Sequence, residues 1–210
     1  MRVLRSTGLA WFFLAIFAVS VVGLAIAGRA DFNEDEVRHA RMLGEVPETV
    51  GMGRYLVSSH FWQAMMENWQ SEYLQFALYI AATVWLVQRG SPESKAPGDE
   101  GVGGPRRLRP MLYENSLVAL MATFFVLSWF AQLVTGRIRY NGEQLDHQEA
   151  GLTLWQYAGT ADFWSRTLQN WQSEFLAVAS MVIFSVYLRQ RGSPESKPVD
   201  APHTSNEAIG

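Results

Sequence analysis

The chain has 210 residues, of which 49% are hydrophobic and 18% charged, and its formal net charge is −3. Taken as averages, these values resemble an ordinary soluble domain. The lack of cysteine excludes a disulfide framework and thiolate metal sites, and an aromatic content of 13% excludes a disordered polyelectrolyte. The near-neutral charge argues against a nucleic-acid-binding protein. The averages mislead, however, because the apolar residues are concentrated in four blocks.

The first block, from Thr7 to Ala27, contains no charged residue. At about 1.5 Å per residue, a helix of this length crosses the roughly 30 Å hydrocarbon core of a bilayer. A secretory signal is the alternative, since Arg2 and Arg5 precede the block and Ala25-Ile26-Ala27 resembles a cleavage site. We expect a retained helix, because the block has a counterpart in the second half of the chain.

The other three blocks predict helices over residues 61–88, 116–135 and 163–190. The uninterrupted apolar runs of the second and fourth helices are short for a membrane span, but aromatic pairs precede each run. Arg-Gly-Ser-Pro follows both helices. We expect Gly90 and Gly192 to form left-handed helix caps there, because proline cannot continue a helix.

The two halves of the chain are similar in sequence. Residues 61–95 align without gaps on residues 163–197, with 19 of 35 positions identical. Just upstream, Tyr55 matches Tyr157 at the same offset. Further upstream, at another offset, Gly28 matches Gly136, Asn33 matches Asn141 and His39 matches His147. The pattern predicts a repeat over residues 1–95, a disordered cytoplasmic linker over 96–110, a second repeat over 111–197 and a disordered tail over 198–210.

The predicted fold is therefore all-α, a polytopic membrane protein with four transmembrane helices arranged as two tandem helix-hairpin repeats. An even number of spans per repeat gives both repeats the same orientation, related by a pseudo-twofold axis along the membrane normal. Ten lysines and arginines lie at the termini and linker, whereas the two long loops and helix entries hold seven, together with 13 acidic residues. The positive-inside rule thus predicts that both termini and the linker are cytoplasmic.

The repeated strings resemble a known family. Two copies of Phe/Tyr-Asn, a histidine, a tyrosine and Phe-Trp, followed by Asn-Trp-Gln-Ser-Glu and Gln-Arg-Gly-Ser-Pro-Glu-Ser-Lys, are similar to the small bacterial membrane proteins catalogued as domain of unknown function 6766. The resemblance covers nearly the whole chain apart from the linker and the tail. It implies a bacterial integral membrane protein and implies no activity. We expect the inner membrane as its location.

The Asn-Trp-Gln-Ser-Glu strings contain the sharpest candidate site. Asparagine and glutamate lie one helical turn apart and share a face with the serine. Small and polar residues on one face suit helix–helix contact in a bilayer. Two glutamates meeting across the pseudo-twofold axis could instead share a proton or bind a cation, or each could bond its own asparagine at the outer interface. The candidates are Asn68, Ser71, Glu72, Asn170, Ser173 and Glu174.

Two further groups carry weaker signals. His39 and His147, near Asn33 and Asn141, could bind a divalent ion from the outer loops, but no metal-binding spacing is present, so ordinary loop histidines are favoured and no metal site is predicted. The tryptophans are predicted to anchor the helices at the membrane interface. These are Trp62, Trp69, Trp164 and Trp171.

No phosphate-binding loop, nucleophile elbow or dinucleotide fingerprint is found, and no cofactor is predicted. The leading hypothesis is a non-enzymatic structural or interaction protein, with the bilayer and either a second copy or another membrane protein as partners. The alternatives are a small transporter or channel module that uses Glu72 and Glu174, and a metal-dependent membrane enzyme that uses the outer loops.

Overall fold

The computed structural model describes residues 7–95, 111–146 and 149–206. All regular structure within these ranges is helical, as the sequence predicts. The predicted linker lies outside the described residues. The helices are α1 (Gly8–Leu43), α2 (Met52–Leu56), α3 (Ser59–Trp85), α4 (Met111–Glu114), α5 (Ser116–Asp146), α6 (Leu154–Ala158) and α7 (Ala161–Tyr187).

Helices α1 and α5 continue far beyond their apolar blocks, so the predicted ends at residues 27 and 135 are wrong. The sequence prediction equated the end of the apolar residues with the end of the helix. Charged residues instead support the extension, since Arg38 forms ion pairs one turn away with Glu34 at 3.7 Å and Asp35 at 3.0 Å. Helix α1 ends only at Gly44, which adopts a left-handed φ of 73°.

Helices α3 and α7 begin and end at matched positions. Ser58 and Thr160 cap them, each side chain accepting a hydrogen bond at 3.3 Å from a backbone N–H, that of Phe61 and of Phe163. Both helices end three residues earlier than predicted, at Trp85 and Tyr187. The two glycines of the Arg-Gly-Ser-Pro strings are left-handed, with φ of 87° and 82°, but they lie in separate turns and do not cap the helices.

Two helices, α1 and α5, are long and apolar enough to cross a membrane. Within the described residues, α3 and α7 do not meet this criterion. The polar Asn-Trp-Gln-Ser-Glu strings leave each helix an apolar run that is too short. The structure therefore supports two candidate spans on length and composition.

Helix α3 lies at the centre of the bundle. Its most extensive contact is with α5 of the second half, and a smaller contact joins it to α7. Tyr73 of α3 packs against Phe124 of α5 with ring centroids 5.0 Å apart. The two halves are thus held together along their central helices.

Each half has its own aromatic cluster around a buried tyrosine. In the first half, Tyr55 and Phe61 pack with Ala25 and two methionines. In the second half, Tyr157 and Phe163 pack with Leu133. The tyrosines are 4% and 1% exposed, and they are at matched positions of the sequence.

Matched asparagines attach the connecting segments to the long helices. The side chain of Asn33 donates to the backbone oxygen of Val50 at 3.1 Å and accepts from its N–H at 2.8 Å. Asn141 makes the same pair of bonds to Leu152, at 2.9 and 2.8 Å. This satisfies backbone groups that would otherwise lack partners beside the helices.

The end of the chain departs from the disordered tail that the sequence predicts. Residues 198–206 run back to the turn that follows α3, and Asn206 is 8% exposed. Its side chain bonds to the backbone of residues 88–95. Such long-range contacts leave no periodic signal in the tail itself.

Close approach of the buried tyrosines to glycines generates a prediction. A Cβ on Gly136 would lie 2.6 Å from the Tyr157 hydroxyl, whereas one on Gly142, in the same helix, would meet nothing within 4 Å. We expect Gly136→Ala to lower the thermal unfolding temperature in detergent, because the hydroxyl is held by a hydrogen bond to Asp162. Gly142→Ala is the control and should raise it slightly, since alanine is favoured over glycine in helices by about 1 kcal/mol. Equal changes in the unfolding temperature of the two variants would contradict a role for the close contact between Gly136 and Tyr157.

Candidate functional site

A partly buried network of charged side chains joins the two halves, and Arg139 of α5 is at its centre. The Arg139 side chain is 9% exposed. Its Nε donates to Gln63 Oε1 of α3 at 2.6 Å, and one terminal nitrogen donates to both Asp162 oxygens of α7, at 3.2 and 3.1 Å. The other terminal nitrogen pairs with Glu143. Arginine suits this position because its planar fork binds several acceptors at once.

Asp162 is the second centre of this Arg139 network. It accepts a hydrogen bond from the Tyr157 hydroxyl at 2.8 Å and one from Arg166 Nε at 3.0 Å. Burial acts to raise the pKa of Asp162, but the hydrogen bonds from Tyr157 and Arg166 and the nearby guanidinium charges outweigh it, so the pKa lies below its usual value. Burial and the hydrogen bond to Asp162 raise the pKa of Tyr157, so the hydroxyl keeps its proton and acts as a donor.

Glu67 of α3 closes the network. It accepts a hydrogen bond from Gln63 Nε2 at 2.7 Å and pairs with Arg166 of α7 at 3.6 Å. Gln63 therefore uses its oxygen for Arg139 and its nitrogen for Glu67. The network brings together two cations and three carboxylates from α3, α5 and α7 of a single bundle.

Uncharged polar side chains form two further buried contacts. Gln70 of α3, which is 0% exposed, accepts a hydrogen bond from the Trp171 indole of α7 at 2.7 Å. Gln132 of α5 donates to Thr167 of α7 at 3.3 Å, and these two are 1% and 0% exposed. Polar groups thus connect the three central helices at several levels.

The predicted polar face behaves the same way in both halves. Asn68 donates to Ala64 O at 2.8 Å, and Ser71 donates to Asn68 O at 2.8 Å. In the second half, Asn170 donates to Arg166 O at 2.9 Å, and Ser173 donates to Asn170 O at 2.8 Å. These four side chains bond to their own helices, which satisfies them without a partner helix.

Glu72 and Glu174 remain the candidates for a shared charge site. Glu72 is exposed and Glu174 half-buried. Within the described chain neither carboxylate accepts a hydrogen bond, and the asparagine one turn away bonds elsewhere. The two carboxylates occupy matched positions of α3 and α7, two helices that contact each other.

The tryptophans fall into two groups. Trp62 and Trp164 are 43% and 40% exposed, and each packs edge-on against the preceding phenylalanine. Trp69 instead packs on the first aromatic cluster, and Trp171 is hydrogen-bonded inside the bundle. Their role at a membrane interface stays a prediction.

The outer-loop candidates do not come together as a site. His39 is half-buried on the helical extension of α1, and His147 lies outside the described residues. Asn33 and Asn141 bind backbone groups of the connecting segments. Among the described residues, no group of three or more histidine, aspartate or glutamate side chains could hold a metal ion.

Sequence reasoning missed the Arg139 network, although one signal was available. The charged members are at positions where the two halves differ. Arg139 matches Asp31, and Asp162 matches His60. A charge that changes sign between otherwise similar halves indicates a contact that only one half makes.

The depressed pKa of Asp162 generates a prediction. We expect Asp162→Asn to destabilise the protein by about 2 kcal/mol, because Arg139 keeps Glu143 and Gln63 but loses the less exposed of its two carboxylate partners. The wild-type protein should lose this stabilisation as the pH falls below about 4, through the lowered folded-state pKa of Asp162, and the variant should lack that part of the pH dependence. Unfolding in detergent at several pH values measures both effects.

Glu48→Gln is the matched control. It removes a carboxylate that pairs with Arg54 at 3.0 Å, but both side chains are at least 70% exposed. Exposed pairs contribute little, so this variant should unfold like the wild type. A similar loss of stability in both variants would show that the Arg139 network stabilises the protein no more than an exposed ion pair does.

Comparison with known proteins was made for the whole chain. Neither the curated proteins nor the solved structures contain a match. A family model described as Domain of unknown function (DUF6766) matches residues 1–208. The match covers almost the entire length and confirms the resemblance carried by the repeated strings. The chain therefore belongs to the domain of unknown function 6766 family.

Proposed function

We propose that this protein is a multi-pass integral protein of the bacterial inner membrane with a structural or interaction role. In this proposal α1, α3, α5 and α7 all cross the bilayer, and the chain is an internally duplicated pair of helix hairpins. The observation that carries the structural role is the use of its buried polar groups. Gln63, Gln70, Arg139 and Asp162 bind other helices of the bundle.

Exposed apolar side chains support four spans. Helix α3 exposes Phe76 at 46% and Trp85 at 77%, and α7 exposes Leu176 at 65% and Phe184 at 56%. These side chains follow the charged first halves of the two helices. Contiguous apolar surface of this kind is costly in water and is typical of a lipid-facing surface.

The charge distribution supports the orientation. The turns after α3 and α7 carry lysine and arginine, whereas the connecting segments at the opposite ends of the helices are acidic. In the proposed topology the turns and both termini are cytoplasmic, and α2, α6 and the Arg139 network face outward.

Labelling of single cysteines tests the four spans, because the natural chain has none. We expect Glu48→Cys and Glu149→Cys to react with a membrane-impermeant maleimide in intact spheroplasts. Arg89→Cys and Glu195→Cys should react only after permeabilisation, because a helix crosses the bilayer between each pair of positions. If both members of a pair label from the same side, α3 or α7 does not span.

A transporter or channel module is the second candidate, and the matched positions of Glu72 and Glu174 on two contacting helices favour it. Two carboxylates that meet between helices could share a proton or hold a cation within a membrane. They lie apart from the Arg139 network, so the two can be changed independently.

Proton flux into liposomes separates the two candidates. We expect the double variant Glu72→Gln with Glu174→Gln to fold and assemble like the wild type, and both proteins to give the flux of empty liposomes. Glutamine keeps the shape of glutamate and removes its charge. If the wild type conducts and the double variant does not, the transporter function replaces the structural one.

A further inference from the structure

The two Arg-Gly-Ser-Pro-Glu-Ser-Lys strings fold into the same turn. We define the first turn as residues 88–95 and the second turn as residues 190–197. In the first turn, Ser94 Oγ accepts from Gln88 N–H at 2.9 Å, and in the second Ser196 Oγ accepts from Gln190 N–H at 2.8 Å. Each of these serines donates to the carbonyl of the following lysine at 3.2 Å. The backbone groups of both turns are therefore arranged alike.

The first turn binds a side chain. Gly90 N–H donates to Asn206 Oδ1 at 2.8 Å. Asn206 Nδ2 lies within 3.2 Å of the carbonyl oxygens of Gln88, Ser91, Ser94 and Lys95. One donor and a ring of acceptors match a primary carboxamide, which offers one acceptor and two hydrogens. A carboxylate in the same place would bring negative charge against four carbonyl oxygens.

Two basic side chains hold the peptide that carries Asn206. Lys197 Nζ donates to the carbonyls of Pro202, His203 and Ser205 at 3.0 to 3.3 Å and contacts Gly90 O. Arg189 donates to the carbonyls of Pro198 and Ala201, at 3.2 and 3.1 Å. The tail forms two consecutive turns, in which Ala201 N–H donates to Pro198 O at 3.0 Å and Ser205 N–H donates to Pro202 O at 3.1 Å. The two basic side chains bind it chiefly through its backbone carbonyls.

The second turn is open where the first is covered. A Cβ built on Gly90 would lie 2.1 Å from His203 O, whereas one on Gly192 would meet nothing within 4 Å. The Gly192 N–H, which matches the donor to Asn206, has no hydrogen-bond partner among the described residues. A cavity of about 610 Å³ lies there, lined by residues of the second turn and by Pro198, Val199 and Asp200.

We propose that the second turn is a binding site for an asparagine side chain carried by a surface segment of another polypeptide. The carboxamide would accept a hydrogen bond from Gly192 N–H and donate to carbonyls of Gln190, Ser193, Ser196 and Lys197. This proposal follows from the occupied first turn and does not depend on the number of membrane spans.

The stoichiometry of the chain favours a separate partner. Each chain has two such turns but one tail, and the tail fills the first turn. Exchange of residues 198–206 between copies would still leave one turn vacant per chain. The linker of residues 96–110 contains no asparagine. A segment of a different protein is therefore the occupant that this proposal assigns to the second turn.

Binding at the second turn is weaker than at the first. The first turn benefits from Lys197 and Arg189 and from the covalent link to its ligand, which raises the local concentration of the tail. A free peptide lacks both advantages, so a method that detects millimolar affinity is required.

The test uses the full chain in detergent, labelled with ¹⁵N-glycine. The probe is a synthetic peptide with the sequence of residues 198–206 and an amidated end. We expect the peptide to shift the Gly192 amide resonance, which Gly192→Ala identifies by its loss. The peptide with aspartate in place of the asparagine should bind at least about tenfold more weakly, because it loses the donor and adds a charge.

The Asn206→Ala variant is the matched control. It frees the first turn, so the peptide should also shift the Gly90 resonance. Shifts at Gly192 in the wild type that depend on the asparagine support the proposal. Three outcomes overturn it: a shift at Gly90 of the variant alone, no shift at either glycine up to about 10 mM peptide, and equal binding of the aspartate peptide.

Discussion

The buried guanidinium of Arg139 is the constraint on which the rest of the bundle depends. Arginine cannot lose its charge in a protein, and an unpaired buried charge costs several kcal/mol. The surrounding helices must therefore place acceptors around it. Gln63 of α3 and Asp162 of α7 both meet this requirement, which restricts the rotation and height of both helices against α5. The extensive α3–α5 contact, which joins the two halves, is compatible with few other arrangements.

This constraint also explains why two similar halves do not form a symmetric bundle. The position that matches Arg139 holds Asp31, and the one that matches Asp162 holds His60. Burial lowers the pKa of His60, and the charge of Arg139 lowers it further, while its ring packs edge-on against Phe32 at 4.7 Å. A neutral histidine beside an aromatic ring cannot replace a buried ion pair. The first half therefore relies on the charged network of the second.

The sequence predicted local features well and long-range ones poorly. The apolar blocks located all four long helices, and the repeated strings located matched turns with left-handed Gly90 and Gly192. The helical extension of α1 to Leu43 was missed because the end of the apolar residues was taken as the end of the helix. A helix can continue past that point with polar residues. Arg139 and Asp162 are 23 residues apart and belong to different helices, so no periodic pattern relates them. The proposed glutamate pair was located by repetition, and its role is still a prediction.

At both ends of the bundle, matched segments of the two halves make different contacts. Lys95 and Lys197 end identical strings, yet Lys95 Nζ donates to Val84 O of its own half at an exposed position, whereas Lys197 is 1% exposed within a ring of carbonyls. The difference arises from the tail, which is present once and covers only the first turn. The two similar turns are unequal, because the tail covers the first turn and leaves the second open to solvent. At the opposite end of the bundle, the halves differ because Arg139 and Asp162 are matched by different residues, Asp31 and His60. The two turns have the same sequence, and they differ only because the tail lies against one of them.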